Sequence, residues 1–193
     1  MNRLPATAAL LIVDVQNAID DPVWAQYGPR NNPAAEDNMA AILAAWRLSG
    51  RKVYHIKHES TDPGSTYRPG SPGSEIKAFV RPIPAEAVVV KHVNSAFIGT
   101  GLERTLCAAG AGCLVVCGVI TNNSVEATVR MAGNLGFDTW LIADAAFTFA
   151  RPDYDGRLRS AAEIHAMSLA NLAGEYCRVI TTGELLAQLE SDH

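Results

Sequence analysis

Three stretches of this sequence deliver groups that can move protons or attack a carbon, and each of them follows an apolar run. In LLIVDVQN, Asp14 comes directly after Val13; in AVVVKHVNSAF, Lys91 comes directly after Val90; in CGVITNNSVEATVRMAG, the residues Thr121 to Ser124 separate an apolar run from a helical one. A carboxylate or an ammonium left dry and unpaired is costly, so Asp14 and Lys91 each need a partner, and pairing them solves both difficulties. A buried ion pair without chemistry satisfies the same constraint, as does a capping role for Asp14 on the chain entering Gln16 to Ala18. The amides at the start of the following helix also serve two ends. Any of Thr121, Asn122, Asn123 and Ser124 can cap them, and the same amides can receive an anion, which would give a nucleophile at Ser124 an oxyanion site and a favourable dipole.

The elements that would hold these groups follow from hydrophobic periodicity. Runs rich in β-branched residues alternate with helix-period segments: Ala9 to Asp14, Lys52 to Lys57, Ala87 to Lys91, Cys113 to Gly118, Thr139 to Asp144 and Arg178 to Thr181. LLIVDV, AVVVK, CLVVCGV and TWLIAD are apolar at successive positions, as in strands covered by helices on both faces. Pro33 to Leu48 reads as a helix with Pro near its start and Gly50 past its end, and Thr100 to Ala109, Val125 to Leu135 and Leu158 to Tyr176 read as three more. The pattern predicts one α/β domain over residues 1–193, a three-layer α/β/α sandwich on a mainly parallel sheet of six strands. Ligands of such sheets bind outside the carboxyl ends of the strands, where Asp14, Lys91 and the Thr121 to Ser124 turn all lie. The Pro- and Gly-rich stretch Glu59 to Ser74 is a long loop, either a functional lid or an insertion. The tail Glu190 to His193 is read as frayed.

Composition narrows the partners. Of 193 residues 48% are hydrophobic, enough for one sizeable core, and the formal charge of −4 with 16 scattered Lys and Arg argues against nucleic acid. No apolar stretch approaches the ~20 residues of a membrane span, and Ala8 to Val13 is too short for an export signal, so a cytoplasmic location and no membrane partner are expected. Cys107, Cys113, Cys117 and Cys177 show no C-x-x-C pairing and are expected to be buried free thiols.

LLIVDVQN, then KHVNSAF, then CGVITNNSVEATVRMAGNLGFDTWLIADA together resemble the isochorismatase-like cysteine hydrolase family, from about Leu10 to Thr182. The resemblance implies strand order 3-2-1-4-5-6, Asp14 as general acid/base, Lys91 as its cationic partner and position 124 as nucleophile. It further implies a cis peptide between Val119 and Ile120, with amides near Ile120 and Ser124 turned toward the oxyanion, and a homo-oligomer, dimer or tetramer. It implies a small-molecule substrate and hydrolysis of an amide or ureido C–N bond.

The sequence departs from the family where the nucleophilic Cys is replaced by Ser124. A thiol beside Lys91 would ionise readily, whereas a serine hydroxyl needs a base placed on it, and an Asp near pKa ~4 is a weak one. Three explanations stay open: an introduced Cys→Ser change, a natural serine that hydrolyses with Asp14 as base, and a silent binding or assembly protein on the same scaffold. A fourth route, cleavage of a vinyl ether, would need Asp14 and no nucleophile. The related nicotinamidases hold a metal through an Asp-x-His element; here HIKHES offers His55 and His58 without that acid, so strand roles are expected for both, with no metal and no cofactor. His92 should turn away from the face Lys91 uses. Gln16, Trp24, Tyr27, Tyr67, Phe97 and Asn123 are the expected substrate contacts, because their segments emerge at the same rim. The small residues Ala161, Ala162, Ala166, Ala170 and Ala173 suit close helix packing, in the core or between subunits.

Overall fold

A computed structural model describes residues 3–190. Its elements run β1 (Ala9–Val13), α1 (Ala35–Leu48), β2 (Val53–His58), β3 (Ala87–Lys91), α2 (Leu102–Ala108), β4 (Cys113–Val119), α3 (Glu126–Asn134), β5 (Asp138–Phe147), β6 (Arg151–Pro152), β7 (Leu158–Arg159), α4 (Ala161–Leu172), β8 (Arg178–Ile180) and α5 (Thr182–Glu190). The main sheet is wholly parallel in the order β3-β2-β1-β4-β5-β8. That is the expected topology once the hairpin of β6 and β7 is set aside.

Alternation along each strand divides the core in two. On one face Leu10, Ile12, Cys117 and Trp140 pack with Met39, Ile42 and Trp46 of α1 and Leu185 of α5. On the other, Leu11, Val13, Leu114 and Val116 pack with Leu106 of α2, Val129 of α3 and Leu172 of α4. Each fully buried Leu or Ile contributes about 1.5–3 kcal/mol, and β1 and β4 are buried at every position. That is why these central strands read as unbroken apolar runs.

The structure corrects several expectations. AVVVK is an edge strand, and Val88 and Val90 face outward, 45% and 40% exposed, instead of lying under a helix. Leu158 and Arg159 pair with Pro152 and Arg151 in the small hairpin, so the last long helix starts at Ala161 behind a Ser160–Glu163 capping box and ends at Leu172. Thr182–Glu190 is a helix that the pattern reading left unassigned, so Glu190 ends α5 while the rest of the expected frayed tail lies outside the described residues. Cys107 is exposed, and the other three thiols are buried and free. Among the described residues no helix is long and apolar enough to cross a membrane.

The chain runs β1, β2, β3 in one direction across the sheet and then restarts with β4 on the other side of β1. Such reversals leave a crevice at the strands' carboxyl ends. Where the two central strands pair, position 118 accepts only glycine: at φ +128 it takes a conformation that disfavours side chains, and a Cβ there would lie 2.2 Å from the Val13 carbonyl oxygen.

Candidate active site

Asp14 leaves β1 with φ +54, a left-handed conformation that Asp tolerates better than most residues, and its amide still donates to Ile56 O. Lys91 ends β3, and its fully buried side chain reaches past the end of β2 to place Nζ 2.7 Å from Asp14 Oδ2. The same ammonium donates to Val93 O at 3.1 Å and to Ser124 Oγ at 3.2 Å, and stands 3.4 Å from His58 Nδ1. The three groups expected at one rim therefore meet at one cation.

Ser124 belongs to a wide turn, Thr121–Val125, in which the Val125 amide reaches back to Ile120 O. The Val119–Ile120 peptide before it is cis. None of the four polar residues caps α3 through its side chain. Thr121 instead pairs with His165 Nδ1 at 2.8 Å, Asn122 accepts from the Thr148 hydroxyl, and Ser124 accepts from Lys91. The turn is braced from α4 as well, where Ser168 donates to Thr121 O and to Glu126.

Electrostatically the pair is under opposing demands. Burial raises the Asp14 pKa and lowers that of Lys91, and each partner opposes the shift of the other. Among the described residues, Asp14 Oδ1 is buried and has no hydrogen-bond partner. An orphaned carboxylate oxygen is expensive, and it is the acceptor a reacting group would use.

A cavity of about 100 Å³ opens above this arrangement. Asp14, Ser124, Asn123, Trp24 and Tyr67 line it, as do His58 and Asn94. Tyr67 carries the Glu59 to Ser74 loop over the site. Its buried hydroxyl donates to Asp14 O at 3.3 Å, and its ring meets Trp24 and His58 edge-on. A larger cavity of about 840 Å³ lies against α4, and neither Asp14, Lys91 nor Ser124 lines it.

Three expected contacts are placed elsewhere. Gln16 is a structural clamp, fully buried, donating to His58 O and Ser74 O and accepting from the His58 amide. Its amide side chain is spent on joining two backbones. Phe97 stacks on Phe137 inside the second core. Tyr27 lines a neighbouring chamber, not the Asp14 cavity.

His58 is the residue the sequence reading missed. It pairs with Lys91 in the parallel register of β2 and β3, so the two share a face of the sheet. Burial, Lys91 and His92 push its pKa down to about 4, so the ring is neutral at pH 7, with Nδ1 3.4 Å from the Lys91 ammonium. His55, one alternation off, lies on the opposite face at 2.8 Å from Glu86. His92 is exposed, with Nδ1 2.7 Å from Glu59 O.

Against known proteins, the isochorismatase domain matches residues 8–184. The chain is 43% identical over 185 residues to the uncharacterized isochorismatase family protein YrdC of Bacillus subtilis, covering 96% of this chain and 97% of that one. It is 30% identical over 175 residues to the ureidoacrylate amidohydrolase RutB of Variovorax paradoxus, covering 72% and 68% of the two chains. A crystal structure of an isochorismatase-family protein from Chromobacterium violaceum superposes with a TM-score of 0.93 at 55% identity, over 99% of both chains.

Proposed function

We propose, from the premise that the chain belongs to the isochorismatase family and is a hydrolase of that family, that it cleaves a C–N bond of a small amide or ureide at Asp14, Lys91 and Ser124. The observation that carries this reading is the orphaned Asp14 Oδ1, buried on the wall of the cavity that Ser124 also lines. A relative whose name is that of an amidohydrolase supports the choice of bond.

In this reading the Ser124 hydroxyl gives its proton to Asp14 as Oγ attacks the carbonyl carbon. The carbonyl π bond breaks toward oxygen, and the oxyanion is met by the amides of Ile120 and Ser124. The tetrahedral species then collapses, the C–N bond breaks, and Asp14 returns the proton to the leaving nitrogen. Water repeats the sequence on the acyl-serine with Asp14 again as base, releasing the acid. Lys91 balances the Asp14 carboxylate before it takes the proton and again after it returns it, and steadies Ser124 Oγ. Its ammonium cannot make the serine a standing alkoxide, so this chemistry is slower than a thiolate's.

One observation favours a second reading. Burial raises the Asp14 pKa, which suits an acid that protonates a vinyl ether without help from residue 124.

The deciding experiment uses the protein and its Ser124→Cys, Ser124→Ala and Asp14→Asn variants on a panel of amides, ureides and isochorismate, with mass spectrometry for an acyl adduct on residue 124. Hydrolysis with an adduct supports the C–N reading. Cleavage of isochorismate that survives Ser124→Ala supports the vinyl ether. If every compound is untouched by both the protein and Ser124→Cys, and Asp14→Asn alters no ligand's binding, the hydrolytic reading fails and a silent binding protein is left.

A further inference from the structure

The Asp14 cavity is too small for most metabolites. At about 100 Å³ it holds roughly three water-sized groups at ~30 Å³ each, enough for an acyl or carbamoyl group and its nitrogen. The remainder of a substrate must leave it. Lys91 lies fully buried beneath Asp14, and Tyr67 and Ser65 line the cavity from the loop side. Across Trp24 and Ile120, however, a second chamber of about 240 Å³ shares these two residues as its own wall.

That chamber has a definite chemistry. Trp24 and Phe149 lie with ring centroids 6.3 Å apart and planes 32° apart, and Val23, Tyr27 and Pro152 extend the apolar lining. The Trp24 ring is held in place, its Nε1 donating to Ala18 O at 3.0 Å and standing 3.3 Å from Thr66 Oγ1. The lining charge is Arg151, exposed on β6. Arg159, directly opposite in the hairpin, is neutralised by Asp153 at 2.8 Å, whereas Arg151 has no carboxylate partner among the described residues. Gln26 and Thr148 complete the lining, and in a protein of net charge −4 a guanidinium without a carboxylate partner on such a chamber is poised for an anion.

We propose that the two cavities are one bipartite site, in which the bond to be cleaved lies against Asp14 and Ser124 while a flat apolar tail crosses Ile120 and Trp24 and ends in a carboxylate on Arg151. This rests on the hydrolytic reading above and adds the class of substrate: a short acyl or carbamoyl group on the nitrogen of an aromatic or similarly flat acid.

The test compares binding of 4-acetamidobenzoate with that of its methyl ester, by calorimetry, and follows N-methylacetamide by saturation-transfer NMR as a probe of the Asp14 cavity alone. The benzoate is expected to bind about fivefold more tightly than the ester, as a rim ion pair worth ~1 kcal/mol predicts. In Arg151→Gln that ratio should fall toward one; Arg151 is exposed, so the substitution spares the core. Ala150→Leu, which fills the chamber, should weaken both long compounds while N-methylacetamide still binds. Equal affinity for benzoate and ester, a ratio unchanged in Arg151→Gln, or long compounds indifferent to Ala150→Leu would each overturn the proposal. If N-methylacetamide binds and neither long compound does, the bipartite site falls and the small amide site stands. If no compound binds, both fall together.

Discussion

The Lys91 ammonium lies 2.7 Å from Asp14 Oδ2 with both groups shut away from water, and its other hydrogens are directed at Val93 O and Ser124 Oγ. Removing one member of such a pair strands the other. Asp14→Asn and Lys91→Met are each expected to cost about 3–5 kcal/mol of stability, measured by urea denaturation. The double variant should cost less than the sum, by about 1–3 kcal/mol. Single variants within 1 kcal/mol of the parent would show that the pair is not desolvated as described.

A thiol placed at position 124 would stand beside that same cation. In the Ser124→Cys variant, iodoacetamide at pH 6.5 should label residue 124 well before the buried Cys113, Cys117 and Cys177, whose pKa values burial pushes up to about 12. The exposed Cys107 provides the internal standard. Peptide mapping that finds residue 124 no faster than Cys107 would mean that Lys91 does not favour the thiolate.

His58 offers a direct reading of the field at the site. Its pKa of about 4 comes first from burial, then from Lys91 and His92. Nitrogen-detected NMR should find the ring neutral down to about pH 4. Lys91→Met should raise its midpoint toward the ordinary ~6.5. A titration unmoved by that substitution would remove Lys91 from the causes.

Acid stability should depend on Glu86. Its carboxylate accepts from Arg47 Nε and Nη2 and from the Ile83 amide, and lies 2.8 Å from His55 Nε2. These partners hold its pKa down to about 2 against the ordinary 4.5. A carboxyl whose pKa is depressed by folding stabilises the fold above its unfolded value, and that contribution is lost as pH falls from about 4.5 to about 2. Glu86→Ala should cost about 1–3 kcal/mol at pH 7, and its stability should fall less steeply than the parent's below pH 4.5. Parallel acid-unfolding curves would contradict this.

The face of α4 that carries Ala162, Ala166 and Ala170 is exposed, and Met167 on it is 63% exposed. Such a surface suits self-association. Light scattering is expected to give a dimer or tetramer, and Met167→Glu to lower the mass. A monomer at all concentrations would contradict it.

Asp14 and Lys91 were legible because each follows an apolar run at the end of a strand, where burial makes a polar side chain conspicuous, whereas Ser124 stood out from the other polar residues of its turn only through the family resemblance. His58 was not, because HIKH invites a comparison of the two histidines with each other, whereas the informative spacing runs across the sheet to Lys91. That pairing depends on register, which the strand patterns alone do not carry. For a related reason, Gln16 and Phe97 do not line the Asp14 cavity. Both emerge at the correct rim, but a glutamine can spend its whole amide on two backbones, and a phenylalanine finds more contact in the core than on a cavity wall. The hairpin of β6 and β7, two residues a side, is too short to show any alternation.

Gly118 bears on how this scaffold could be redesigned. It lets the strand that leads to Ser124 lie beside the strand that carries Asp14 with no side chain between their backbones. Trp24, Tyr67, Phe149 and Arg151 lie outside the central strands and line the two cavities. A library aimed at new substrates would randomise those positions and hold position 118 constant, since even one methyl group there would press on the Val13 backbone directly before Asp14.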